Sequence, residues 1–216
     1  MERTKGRPLA ARELSVKEAI CFCIAHFIAG LLVFAFFNLQ GIIISLIFGF
    51  ISLLYPLAKR VTYYPQVVLG VCYNSGLLIA NIIISGRLNY CILPMYLSSI
   101  LWTLIYDTVY ALQDTKDDVK IGVKGLAVKW GSKTIENSKR LNVLMHLGFG
   151  FGALLCGLNP MFCVMLCVSL ACINLQLNSV DLNDTKTCDR FFTNNKYYGL
   201  FILINIFMSR DYTTSL

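Results

Sequence analysis

Apolar and polar positions along the chain alternate in blocks and not in the short rhythm of a soluble helix or strand. Runs of Leu, Ile, Val, Phe and small residues occupy roughly 19–39, 41–58, 66–86, 89–106, 141–158, 161–177 and 197–209, and the charged residues lie almost wholly between them. A run of about 20 residues that is apolar on every side has the length needed to cross a hydrocarbon core of about 30 Å. No water is available there to satisfy the backbone, so each run is expected to be a helix. Residues 19–58 hold no Asp, Glu, Lys or Arg and are too long for one crossing. The polar "NLQG" at 38–41 divides them. The last run is short, and tilt or local thinning of the bilayer is expected to accommodate it. The pattern therefore predicts an all-α, multi-span transmembrane helical bundle with seven crossings.

Composition sharpens that picture. The chain has 216 residues, 56% of them hydrophobic and only 14% charged, whereas a soluble domain carries about 25% charged residues. Four connections separated by even numbers of crossings, 1–18, 59–65, 107–140 and 178–196, must share one side of the membrane. They hold 28 of the 31 charged residues and 17 of the 19 Lys and Arg. Under the positive-inside rule that side is cytoplasmic, or the matrix side in a mitochondrion. The net charge of +7 is thus a one-sided property, and no aromatic and basic platform accompanies it, which argues against a nucleic-acid partner. The crossings are nearly free of charge and show no internal repeat, which argues against a transporter. Residues 1–18 read neither as a secretory signal nor as an acid-poor presequence. The nine cysteines form no C-x-x-C pair, and Cys163 and Cys167, one helical turn apart, read as small buried hydrophobes. The sequon at Asn183 lies on the charged side and carries no expectation of glycosylation. "HLGFGFG" at 146–152 contains G-x-x-x-G spacing, which predicts close helix packing.

Candidate chemistry concentrates in "YDTVYALQDTKDDVK" at 106–120. On a continuous helix Asp107, Asp114 and Asp118 share one face with Tyr110, while Asp117 turns away. Stacked carboxylates repel one another unless a cation sits among them. Hard oxygen ligands select Mg²⁺ or Ca²⁺, and Mg²⁺ is commonly held by one or two carboxylates while substrate phosphates complete its shell. Asp107 is the only charge between Arg87 and Asp114, close to the hydrocarbon boundary, where an ionisable side chain is a functional candidate by default. Basic residues on the same side fit an anion: Arg3, Lys5 and Arg7 in "RTKGRPL", and Lys59 and Arg60 in "YPLAKRVTYYPQ". The competing reading is a solvated helix end whose acids interleave with Lys116, Lys120 and Lys124.

Taken in order, "RTKGRPLAA", "YPLAKRVTYYPQ", "GVCYNSG" and "LWTLIYDTVYALQDTKDDVKIGVKGLA" resemble the UbiA family of intramembrane aromatic prenyltransferases. They are most similar to its 4-hydroxybenzoate polyprenyltransferases, in particular the mitochondrial branch. The motifs cover residues 3–135; beyond them the likeness is one of span order. The resemblance implies nine helices around a lipid-accessible cavity and two aspartate-rich motifs that bind Mg²⁺ with an isoprenoid diphosphate. The second motif falls on Asp114 and Asp118, the implied metal ligands, with Asp107 as the upstream acid. Arg3, Lys5, Arg7, Lys59 and Arg60 are the implied diphosphate ligands, and Asn74, Tyr106 and Tyr110 line the implied acceptor or prenyl pocket. An interfacial aromatic belt is an equal reading for the tyrosines. The family's first motif and the two helices before it have no counterpart here, so residues 1–216 are expected to form a single domain with seven of the nine helices, and 107–140 a charged loop bearing the second motif. Gly125 stands where Ser is frequent, and Ser75 follows Asn74 where Trp is frequent. The implied reaction is polyprenyl transfer from a polyprenyl diphosphate to the ring of 4-hydroxybenzoate in ubiquinone synthesis, in the mitochondrial inner membrane with the charged loops in the matrix, or on the cytoplasmic side of a bacterial membrane. Implied partners are the two substrates, membrane lipid and other ubiquinone-synthesis proteins. A menaquinone- or haem O-type acceptor, and a catalytically inactive truncated isoform, remain open alternatives.

Overall fold

The computed structural model describes residues 5–210, and all regular structure among them is helical. Ten helices follow in order: α1 Val16–Val33, α2 Leu39–Val61, α3 Pro65–Tyr73, α4 Ser75–Ser85, α5 Leu93–Ala111, α6 Thr115–Ile121, α7 Leu126–Trp130, α8 Thr134–Leu155, α9 Met161–Asn178 and α10 Thr185–Met208. Among the described residues five stretches are long and apolar enough to cross a membrane: Val16–Phe36, Leu39–Val61, Pro65–Ser85, Tyr90–Ile121 and Met161–Asn178. The molecule is an integral membrane protein.

The other two expected crossings are the later parts of α8 and α10. Both helices start well before their apolar runs, α8 with Glu136, Lys139 and Arg140 and α10 with Lys186, Asp189, Arg190 and Lys196. These charged turns keep the two helices below the apolarity of the other five. They also correct one expectation: the segments 107–140 and 178–196 are mostly helical rather than loop, so the short apolar run 197–209 is the end of a 24-residue helix.

Side-chain capping sets several boundaries. Ser15 starts α1 with a capping box: Glu18 N–H donates to Ser15 Oγ (3.3 Å), and Ser15 N–H donates to the Glu18 carboxylate (2.9 Å). Asn38, the polar residue of "NLQG", caps α2 by accepting from Gly41 N–H at 2.8 Å, while its amide donates to Ile82 O and Ile83 O of α4. Gly41 is needed there, because a Cβ would stand 2.6 Å from Ile83 Cγ1. The run 66–86 is broken at Asn74, whose amide donates to Gly70 O (2.8 Å), Ser99 O (3.2 Å) and Thr103 Oγ1 (2.9 Å), fastening the α3/α4 break to α5.

Helix α5 is central and touches α3, α8 and α10. Ile105, Val109, Met145, Phe162 and Leu177 are almost wholly buried around it. Glycines let α8 approach: a Cβ on Gly152 would lie 2.7 Å from Met95 Cγ and 3.0 Å from Met95 N, and one on Gly148 would collide with Ser98 Oγ. The G-x-x-x-G spacing therefore marks the α5/α8 seam. Helix α1, by contrast, is apolar all round and buries no residue, the character of a helix whose neighbour is lipid.

A cleft of carboxylates and cations at the end of α5

The end of α5 does not continue as one regular helix. It passes through a tight 3-10 turn, Leu112–Asp114, into α6, so the spacing of Asp107, Asp114 and Asp118 departs from that of one regular helix. All three nevertheless line one cleft of about 310 Å³ together with Tyr110, Lys59, Arg7, Gln66 and Lys124. Asp117 is not in its lining; it pairs with Lys120 at 3.7 Å on the outside.

Four separate segments are drawn together by hydrogen bonds that the chain makes at their junctions. Gly122 ends α6 with φ +71°, the left-handed region where glycine carries no Cβ penalty. Val123 N–H then closes on Asp118 O at 2.9 Å, a Schellman-type ending. The reversed chain lays Lys124 across the last turn of α2: its N–H donates to Lys59 O (2.9 Å) and its Nζ to Val61 O (3.2 Å). A lysine at helix-terminal carbonyls is favourable in the field of the helix dipole. From α3, the buried Gln66 accepts Leu126 N–H at 3.3 Å, and its amide hydrogen-bonds the Asp107 carboxylate. Lys59 is a charge neighbour of that same carboxylate. Three carboxylates and three cations thus share one opening.

Beside the cleft stands an aromatic wall. Tyr110 packs on Phe192 with ring centroids 4.3 Å apart, and Tyr106 meets the same ring edge-on at 5.8 Å. Trp102 extends the wall to Tyr106 (5.9 Å) and Tyr198 (4.9 Å), and its Nε1–H donates to Asn195 Oδ1 at 2.8 Å, joining α5 to α10.

Of the residues singled out from the sequence, Asp107, Asp114, Asp118, Arg7, Lys59 and Tyr110 converge on the cleft, and Tyr106 adjoins it through Phe192. Lys5 and Arg60 are exposed and outside its lining. Asn74 is engaged at the α3/α4 break, and Arg3 lies outside the described residues. Gln66, Lys124 and Phe192 were not singled out as site residues. Gln66 ends the motif "YPLAKRVTYYPQ" and Lys124 lies in "KIGVKGLA", so both were in view; Phe192, in a segment read as loop, had no signal.

The donor set bears on a metal. Among the described residues no three His, Cys, Asp or Glu side chains come close enough to hold an ion by themselves. One or two carboxylates in a cleft that also holds cations are instead the protein share of a Mg²⁺ shell completed by phosphate oxygens and water. Asp114 and Asp118 fit that share.

The chain is similar to known proteins along most of its length. The model of the UbiA prenyltransferase family matches residues 1–205. The mitochondrial 4-hydroxybenzoate polyprenyltransferase of Drosophila melanogaster is 35% identical over 207 residues, covering 95% of this chain and 53% of its own length. The 4-hydroxybenzoate octaprenyltransferase of Francisella tularensis subsp. novicida is 34% identical, covering 94% of this chain and 71% of its own length. The chain spans about half the length of the mitochondrial relatives it matches. A solved apo structure of a UbiA homologue from Aeropyrum pernix K1 superposes with a TM-score of 0.75 at 22% identity, over 96% of this chain and 78% of its own, which shows a shared fold. The chain belongs to the UbiA prenyltransferase family.

Proposed function

We propose that the protein transfers a polyprenyl group from a polyprenyl diphosphate to the ring of 4-hydroxybenzoate. The observation that carries this reading is the convergence of Asp107, Asp114 and Asp118 with Arg7, Lys59 and Lys124 on one cleft at the end of an apolar helix. Relatives named as 4-hydroxybenzoate polyprenyltransferases support the substrates. The mitochondrial ones support an inner-membrane location for a step of ubiquinone synthesis, and the charge asymmetry supports a matrix-facing cleft.

In this proposal Asp114 and Asp118 would hold Mg²⁺. When bound there, the ion neutralises phosphate charge and polarises the bridging oxygen. Lys59, Lys124 and Arg7 stabilise the diphosphate as it takes the electron pair of the breaking allylic C–O bond. Gln66 and Lys59 hold Asp107 in place. The Tyr110 and Phe192 rings offer π faces to the positive charge that develops on the allylic carbon. The electron-rich ring of the acceptor attacks that carbon ortho to its hydroxyl and then loses the ring proton. The apolar helices exclude water, which would otherwise capture the cation, and accommodate the polyprenyl tail.

The test is product formation in vesicles containing the protein, Mg²⁺, 4-hydroxybenzoate and a polyprenyl diphosphate, followed by mass spectrometry. Prenylated 4-hydroxybenzoate is expected from the wild type, and at least about 10²-fold less from Asp114→Ala, the scale seen when one electrostatic stabiliser is removed from an active site. Undiminished turnover by Asp114→Ala would contradict the proposal.

A further inference from the structure

The α5/α8 seam has a register that continues past the two helices. Gly148 stands against Ser98 and Gly152 against Met95, so the backbones run antiparallel at close range. One turn beyond Gly152, Cys156 ends α8; one turn before Met95, Cys91 sits in the 3-10 turn Tyr90–Ile92. The seam therefore places the two cysteines opposite each other. Cys156 Sγ lies 3.5 Å from Cys91 O, and the two thiols are electrostatic neighbours.

Both positions are held by the backbone around them. Cys91 N–H donates to Asn89 Oδ1 (3.1 Å), and Asn89 N–H donates to Asn81 Oδ1 (2.8 Å). Cys156 N–H donates to Gly152 O (2.9 Å), and Gly157 follows at φ +73°, letting Leu158 N–H close on Ala153 O at 2.9 Å. A disulfide requires Cα atoms about 4.4–6.8 Å apart, and the Cys156 Sγ already lies 3.5 Å from the Cys91 backbone. Cys156 is exposed and Cys91 half-buried, so a reagent can reach the pair. They lie on the sparsely charged side of the membrane, opposite the candidate site.

We propose that Cys91 and Cys156 form a reversible disulfide. The oxidant is a disulfide, either of a dithiol protein or of glutathione. The Cys156 thiolate attacks one donor sulfur, forming a mixed disulfide and releasing one donor thiolate. The Cys91 thiolate then attacks the Cys156 sulfur, forming the Cys91–Cys156 bond and releasing the second donor thiolate. The two protons lost by the cysteines are taken up by the two released thiolates, so one donor disulfide yields one protein disulfide and two donor thiols. The bond closes the segment that contains all of α5 and the Asp107–Asp118 carboxylates, and it fastens the end of α5 remote from the cleft. Cys163 and Cys167 lie on successive turns of one helix and offer no such crossing.

The experiment uses the full chain, purified in detergent, reduced, and then equilibrated with either reduced or oxidised glutathione. Thiol alkylation with intact-mass measurement and non-reducing peptide mapping read the outcome. Oxidised glutathione is expected to remove two of the nine alkylatable thiols and to yield one linked peptide pair, Cys91 with Cys156, reversed by reductant. Cys91→Ser and Cys156→Ser are each expected to abolish that linked pair. The oxidised wild type is expected to unfold at a higher temperature than the reduced form, with no such difference in either variant. Nine alkylatable thiols after oxidation, or a linked pair involving another cysteine, overturns the proposal. Peptide mapping of the wild type decides the matter even where a variant fails to fold.

Discussion

Gln66 shows how one side chain can hold a site that charges alone would push apart. It is buried, accepts the Leu126 N–H, and hydrogen-bonds Asp107. Replacing it by Leu keeps the volume close but leaves the Leu126 N–H without an acceptor, at a cost of about 1–3 kcal/mol for a buried unsatisfied group. Gln66→Leu is therefore expected to lower the thermal unfolding midpoint measurably. Gln66→Glu keeps the acceptor but sets a second acid beside Asp107, and is expected to be destabilising at neutral pH. An unfolding midpoint for Gln66→Leu equal to the wild type would show that the bond carries no weight. Asp107, Asp114 and Asp118 were legible from sequence because acids beside an uncharged run need a reason. Gln66 was not, because a neutral amide next to Pro65 has no such oddity, and only the fold brings it to Asp107.

At the scale of elements, the seam between α5 and α8 rests on Gly148 and Gly152, and the two glycines differ. A Cβ on Gly152 meets Met95 Cγ at 2.7 Å and Met95 N at 3.0 Å; the side chain can turn aside but the backbone cannot. A Cβ on Gly148 meets only the Ser98 hydroxyl at short range, and that hydroxyl can rotate. Overpacking costs about 1–3 kcal/mol, against a helix-propensity gain of about 1 kcal/mol for Gly to Ala. Gly152→Ala is expected to destabilise, and Gly148→Ala to be close to neutral, in denaturant or thermal unfolding of the purified protein. The reverse order would contradict the assigned contact. The apolar runs marked the crossings well, but not where the helices begin. Hydropathy sees only the part of α8 and α10 that lies in lipid, whereas their first turns are charged and extend the helix into water. The break at Asn74 was hidden for a related reason: it lies inside one long apolar run, and two of the acceptors that it binds, Ser99 O and Thr103 Oγ1, come from α5.

At the scale of the whole molecule, the cleft is assembled from four stretches far apart in the chain: the segment around Arg7, the α2/α3 junction with Lys59 and Gln66, the α5/α6 carboxylates and the Lys124 loop. The ordered motifs named these stretches because each carries charge or a proline next to lipid. The last three stretches meet through Gly122, through Lys124 across the end of α2, and through Gln66 against Leu126. The central claim is that the meeting point binds a diphosphate together with Mg²⁺. Calorimetric titration of the detergent-solubilised protein with geranyl diphosphate tests it most directly, with and without Mg²⁺, in the wild type and in Asp114→Asn/Asp118→Asn. Hydrogen bonds and ligands to charged groups contribute about 1.5–3 kcal/mol each, or about 10–100-fold in affinity. Binding is expected in Mg²⁺, lost with chelator, and weakened at least about 100-fold in the double variant. Equal affinity in chelator, or in the double variant, would contradict the account.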